Sequence, residues 1–260
     1  MATAAPLVPS RTARSQAATG LSLAAAVCGG WLALHVAGMA LVEVRWTTLP
    51  LVLVMAAVQC WLSVGMFIVA HDAMHGSLAP GRPRLNAAVG GTLLFLYAGF
   101  AWRRMRDAHF AHHRAPGSAD DPDFDAVHPR SGIRWYATFL RRYFGWPSVA
   151  YVGSVVTLYQ VVLGVPIANI VLLYALPAIA SSVQLFYFGT FRPHRHAHND
   201  ATFADHHNAR SEAFGPLVSL ATCFHFGYHH EHHLNPATPW WALPSVRRQA
   251  ADKPRLEPLP

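Results

Sequence analysis

The sequence predicts an all-α integral membrane protein with about four transmembrane helices and one re-entrant or interfacial helix. A cytoplasmic helical cap is expected to carry clustered histidines. Three observations predict this class. Hydrophobic residues make up 53% of the 260 residues and charged residues only 13%, about half the soluble norm of ~25%. The apolar residues are gathered into runs long enough to cross a hydrocarbon core of ~30 Å. Finally, the groups His71-Asp-Ala-Met-His75, His109-Phe-Ala-His112-His113 and His229-His-Glu-His232-His233 lie beside long apolar stretches.

Each element has its own signal. Residues 1–18 are rich in Ala, Ser, Pro and Arg and read as a disordered tail. Arg11 and Arg14 ahead of an apolar run resemble the start of a signal peptide. The run Thr19–Val42, however, exceeds the ~7–15 residues of a signal core, so it is expected to be retained as the first span. Leu49–Ala70 is a second span running straight into His71. A turn follows at Ala79-Pro80-Gly81-Arg82-Pro83. Leu85–Trp102 is apolar but short and contains Gly90-Gly91, so it is either a marginal span or a re-entrant helix. A polar segment with the second histidine group and Asp120-Asp121-Pro122-Asp123 then extends to about Pro147. Val149–Leu163 and Pro166–Phe188 form the last apolar pair. The main domain is taken as residues 19–245 and the C-terminal tail as 246–260.

Charge fits this layout. The formal charge is +7, and Lys253 is the single lysine. The arginines lie between apolar segments instead of forming a basic domain, which argues against a nucleic-acid partner and for a cytoplasmic membrane face. With Arg11 and Arg14 in the cytoplasm and Leu85–Trp102 not crossing, every histidine except His35 falls on the cytoplasmic side. Cys28, Cys60 and Cys223 are dispersed and form neither a disulfide framework nor a thiolate site.

The histidine groups carry the chemistry. Spacings of three and four residues stack imidazoles on one helix face. Neutral imidazole suits iron, copper and zinc. Eight imidazoles exceed the four ligands of one tetrahedral zinc, so two metals in one pocket is the economical reading. One His-x-x-x-His pair is commonly an ordinary polar helix face. Two copies of His-x-x-His-His beside it, all at membrane edges, are not.

With this layout, the three groups resemble the membrane fatty-acid desaturase/hydroxylase superfamily of non-haem di-iron enzymes. The longer strings around His71–Gly76, Phe191-Arg-Pro-His194-Arg, Ala204-Asp-His-His-Asn-Ala-Arg210 and Phe224–Pro236 are similar to bacterial β-carotene ketolases. The resemblance implies that His71, His75, His109, His112, His113, His229, His232 and His233 bind two iron ions, with His194 as a ninth ligand. His225 is either a tenth ligand or a hydrogen-bond partner of one. His196, His198, His206 and His207 read as loop residues or as partners of ligands, and His128 and His230 as non-ligating. His35, in mid-span, reads as a buried, hydrogen-bonded residue. Asp72, Asp107, Asp121, Asp123, Asp205 and Glu231 lie near the groups and are candidates to orient metal-bound imidazoles.

The resemblance further implies dioxygen as co-substrate, electrons from a reduced ferredoxin-like donor, and a carotenoid collected from membrane lipid. Double hydroxylation of ring carbon 4 and loss of water would leave a ketone, in the bacterial inner membrane. No nucleotide fingerprint, P-loop or nucleophile elbow is present. The aromatics Trp61, Phe67, Phe95, Tyr97, Phe100, Phe186, Tyr187 and Phe188 are candidates to line a substrate tunnel, with core packing as the alternative. Rival readings are an acyl-lipid desaturase or carotenoid hydroxylase with the same groups, a metal transporter, and a structural membrane protein. A transporter would place polar ligands along the middle of its spans, where this sequence has almost none.

Overall fold

The computed structural model describes residues 13–196 and 203–251. All its regular elements there are helical. Helices α1 (Ala13–Ala40) and α2 (Leu49–His75) are each long and apolar enough to cross a membrane. α3 (Pro83–Ala98) meets α4 (Trp102–Arg114) at a bend of 100°. α5 (Gly132–Tyr143) and α6 (Trp146–Thr157) follow. α7 (Ile167–His194) is the third long apolar helix. α8 (Pro216–Cys223), α9 (His229–Leu234) and α10 (Leu243–Ala251) complete the cap.

α2 is the hub, packing against α1, α3 and α7 and touching α8. Small residues let its neighbours approach. At Gly65 the ring of Phe224 fills the space a side chain would take, and Trp61 stacks on the same ring at 4.4 Å between centroids. At Gly90 of α3, Trp102 lies against the backbone in the same way. The α3–α4 bend turns on Gly99, whose φ of +67° is costly for residues with a Cβ. Trp102–Arg114 therefore runs across the end of α2 instead of continuing the line of α3.

Three π turns interrupt the later helices, at Leu158–Val162, Val171–Ala175 and Tyr187–Phe191. The last two precede a proline inside the continuing helix, Pro177 and Pro193. A proline ring clashes with the carbonyl four residues back, and widening the helix there relieves the clash. The last π turn also resets the helix phase directly ahead of His194.

Several boundaries differ from the sequence reading. The first helix starts at Ala13 instead of Thr19, because its N-terminal turns are anchored. Gln16 Nε2 donates to the Ser77 carbonyl at 2.7 Å, and Gly20 seats against Leu78 and Trp241. Residues 1–12 lie outside the described part. The expected C-terminal tail likewise begins inside α10, where Val246 is buried. The expected crossing at Val149–Leu163 is a twelve-residue helix prolonged by a five-residue π turn, roughly 25 Å. It falls short of the three helices that qualify as spans on length and composition, or four if the bent α3–α4 pair is one. A pair bent in this way is a broken span or a re-entrant loop, the same two alternatives the sequence gives for Leu85–Trp102.

The Gly65 contact gives a direct test. A Cβ there would stand 2.5–3.0 Å from three atoms of the Phe224 ring. Gly65→Ala should therefore cost about 1–3 kcal/mol, read as a lower midpoint of thermal unfolding in detergent; an unchanged midpoint would refute this packing.

Candidate metal centre

Four helices deliver the histidines predicted from sequence. The last turn of α2 presents His71 and His75, α4 presents His109, His112 and His113, the end of α7 presents His194, and α9 presents His229, His232 and His233. Their imidazoles collect into two groups. One holds His71, His75, His109, His113 and His232; the other holds His112, His194, His229 and His233, with the ligand atoms of each group within 4.8 Å of one another. The groups adjoin, His113 stacking on His233 at 4.3 Å between ring centroids.

The donor atoms face inward. Nε2–Nε2 separations are 2.6 Å for His75–His109, 3.0 Å for His113–His232, 2.9 Å for His194–His229, 3.0 Å for His229–His233 and 3.3 Å for His112–His233. Imidazole–metal bonds of ~2.1 Å place two ligands of one ion at most ~4.2 Å apart, and neighbouring ligands nearer. The observed spacing suits an ion at the centre of each group. Two tautomers are fixed by their surroundings. His112 Nδ1–H donates to both Asp121 carboxylate oxygens at 2.9 and 3.0 Å, and His194 Nδ1–H donates to the Asn208 carbonyl at 2.8 Å. Both therefore present a bare Nε2 lone pair to the group. Buried His71 has no hydrogen-bond partner among the described residues for either ring nitrogen, which suits a metal ligand. The two groups can each hold a metal ion.

Electrostatics favour the neutral form of the α9 ligands and, through Asp121, the charged form of His112. Burial, reinforced by the repulsion neighbouring imidazoles would exert if charged, holds His229, His232 and His233 well below the usual histidine range. Burial opposes the Asp121 charge, but hydrogen bonds from His112 and the N–H groups of Asp123 and Gly117 outweigh it, so that carboxyl lies below its usual range. Burial instead raises the neighbouring Asp123.

The remaining candidates divide clearly. Asp121 supports a histidine directly, and Asp72 Oδ2 accepts the Trp240 N–H at 2.9 Å while its other oxygen lies 3.5 Å from His71 Nδ1. Glu231 ties α9 to α10 through Arg247 at 2.6 Å and also accepts from Ser211. Asp205 accepts from His207 and from His230 at 2.8 Å. Asp107 is exposed. His225 stands outside both groups, stacked near Tyr228 and Trp240. His128 pairs with Asp125, and His196 donates weakly to the Gly117 carbonyl at 3.4 Å. His206 and His207 gather with Asp205 at the periphery, and His198 lies outside the described residues. His35 meets Tyr159 Oη at 2.6 Å and stacks on Trp31.

An apolar cavity of about 550 Å³ ends on these groups, touching His71, His109, His112 and His229. Of the aromatics named from sequence, Phe67, Tyr97 and Phe100 line it. Trp61 packs on Phe224 and Phe186 on Trp135 instead, Phe95 is exposed, and Tyr187 and Phe188 are outside the lining. The sequence reading missed Tyr136, Phe139 and Tyr143, contributed by α5, a helix whose apolar face was the available signal.

The fold and site define a membrane protein whose two histidine groups, each able to hold a metal ion, close one end of a greasy chamber. The fatty acid desaturase family model matches residues 45–158 and 140–259. The chain belongs to that family. It is 50% identical over 231 residues to a β-carotene ketolase of one Paracoccus strain, covering 88% of this chain and 93% of that one. A second Paracoccus strain's β-carotene ketolase is 48% identical over 88% of this chain and 92% of its own. The zeaxanthin 4-ketolase of Chlamydomonas reinhardtii is 33% identical over 89% of this chain and 54% of its own.

Two outcomes check the site. Asp121→Ala should weaken metal binding by about 10- to 100-fold through loss of the His112 support, measured by chelator competition; wild-type retention would refute that support. His35→Leu should leave metal content unchanged, because the ring lies in the separate Trp31–Tyr159 contact.

Proposed function

We propose that the chain is a carotenoid 4-ketolase of the membrane, converting carbon 4 of a β-ionone ring into a ketone by two hydroxylations and loss of water. One observation carries the reading: an apolar cavity fit for hydrocarbon ends on imidazoles of both histidine groups. The kinship with proteins named β-carotene ketolase and zeaxanthin 4-ketolase points to the same substrate class. β-Carotene would give echinenone and then canthaxanthin, and zeaxanthin would give astaxanthin.

His71, His75, His109, His113 and His232 would hold one iron, and His112, His194, His229 and His233 the other. Bound there, the two irons would supply the activation of dioxygen needed to attack a ring C–H bond. The chain's own residues do the rest. Asp121 and the Asn208 carbonyl fix ligand tautomers, and burial keeps the imidazoles of His229, His232 and His233 neutral and ready to bind metal. The aromatic walls at Phe67, Phe100 and Phe139 exclude water and hold the ring against the histidines. A substrate soluble only in lipid would reach this chamber from the bilayer, and the apolar helices α2 and α7, which line part of it, suit such an entry.

Electrons must come from outside, because no nucleotide fingerprint is present. Arg103, Arg104, Arg106, Arg141 and Arg142 are exposed, and they suit the approach of an acidic ferredoxin-type donor. The arginine distribution supports an inner-membrane protein with its histidines facing the cytoplasm.

Cells that accumulate β-carotene and express the chain should turn redder and yield 4-keto carotenoid on chromatography. His112→Ala and His232→Ala should each abolish that product and lower bound iron. Altered acyl lipids without any keto product would overturn the substrate, and full activity in either variant would overturn the ligand set.

A further inference from the structure

The cavity wall contains one feature that hydrocarbon binding does not require. Among its described lining residues Asp123 is the sole acid, and no lysine or arginine joins it. The backbone of Asp123 is held on both sides. Its N–H donates to Asp121 Oδ1 at 2.8 Å, and its carbonyl accepts from Trp135 Nε1 at 2.7 Å. This fixes where its side chain points. Tyr143, which also lines the cavity, donates its hydroxyl to Asp123 Oδ1. No hydrogen bond from the described residues reaches Asp123 Oδ2. The carboxyl also sits at the inner end of the chamber, with an oxygen within 4.8 Å of a ring nitrogen of His112.

A carboxyl facing an apolar chamber is costly unless a polar partner reaches it. Scaffolding accounts for Oδ1 and leaves the other oxygen of this wall residue without a hydrogen bond from the described residues. Two other hydroxyls of the wall are already engaged: Tyr136 with Ser182 at 2.6 Å, and Tyr97 with Ser181, outside the lining, at 2.9 Å.

We propose that Asp123, braced by Tyr143, is a hydrogen-bonding subsite for a hydroxyl on the substrate ring, and so sets the preference for hydroxylated over unsubstituted rings. This rests on the ketolase reading above. Two sources share the chemistry: a 3-hydroxyl already present on the incoming carotenoid, and the 4-hydroxyl formed by the first oxidation. Both are secondary alcohols that would donate to Asp123 Oδ2. Holding the 4-hydroxyl near the histidines would favour the second oxidation over release of the half-oxidised ring. A site built to bond a hydroxyl discriminates against a ligand lacking it, because its own polar group is then left bare.

The test compares KM and kcat of membranes containing the full chain on β-carotene, zeaxanthin and 4-hydroxy-β-carotene, for wild type, Asp123→Leu, Asp123→Asn and Tyr143→Phe. Asp123→Leu should raise KM for a hydroxylated ring relative to β-carotene by about tenfold, the worth of one hydrogen bond. Tyr143→Phe, which removes only a brace, should move the ratio in the same direction by less. Asp123→Asn retains an acceptor and should restore most of the preference. A shift confined to zeaxanthin assigns the subsite to the 3-hydroxyl. A shift confined to the 4-hydroxy substrate, with 4-hydroxy product accumulating from β-carotene, assigns it to the intermediate. If all ratios stay at wild type, or all three substrates lose equally in Tyr143→Phe as well, Asp123 is structural and the inference fails. Wild-type membranes that make no 4-keto product would instead defeat the ketolase reading itself.

Discussion

Buried and half-buried imidazole nitrogens that face one another at 2.6–3.3 Å place several lone pairs around one point. His112 and His194 have already committed their Nδ1 protons to Asp121 and the Asn208 carbonyl, so no proton of theirs is left to mediate the contact. A cation at the centre of each group would resolve this by taking all the lone pairs together. The rest of the architecture follows from having to assemble nine such rings from four helices.

The helices meet that demand by different local means. α2 and α4 use the helical repeat itself, stacking ligands one turn apart. α4 can approach α2 only because Gly99 permits the 100° bend and Gly90 admits the Trp102 ring. α7 comes from across the bundle, and its final π turn rephases the helix before His194. α9 is too short to hold its own position. It is fastened through Glu231 to Arg247 and through His230 to Asp205. Hydrogen-bonded acids beside the ligands act on the ring atoms that the metal does not touch, which orients the ones it does.

The chamber beyond the histidines combines two solvents. Most of its wall is aromatic or aliphatic and suited to a long hydrocarbon, and the end nearest the imidazoles carries the Asp123–Tyr143 pair. Asp121 and Asp123, two residues apart, serve opposite faces. One is buried behind His112 and keeps its charge through hydrogen bonds; the other turns toward the chamber, where burial disfavours charge. The Asp-Pro-Asp turn therefore links ligand support to the substrate wall.

Much of this was legible in the linear chain because helices impose short periods. Apolar runs disclosed α1, α2 and α7, and spacings of three and four residues disclosed the ligand faces, since both depend on neighbours within two turns. Element ends were less legible. Ala13 belongs to a helix that Ser77, Leu78 and Trp241 come from elsewhere to anchor, and Val246 to one that Glu231 holds through Arg247. The partition of nine histidines into a group of five and a group of four has no counterpart in sequence order. His112 and His113 are adjacent yet serve different groups, as do His232 and His233. Likewise, only three of eight candidate aromatics reach the chamber. Sequence spacing fixes which side chains share a helix face. Which of them meet across helices is decided by bends, π turns and inter-helix packing, and these exist only once the bundle is assembled.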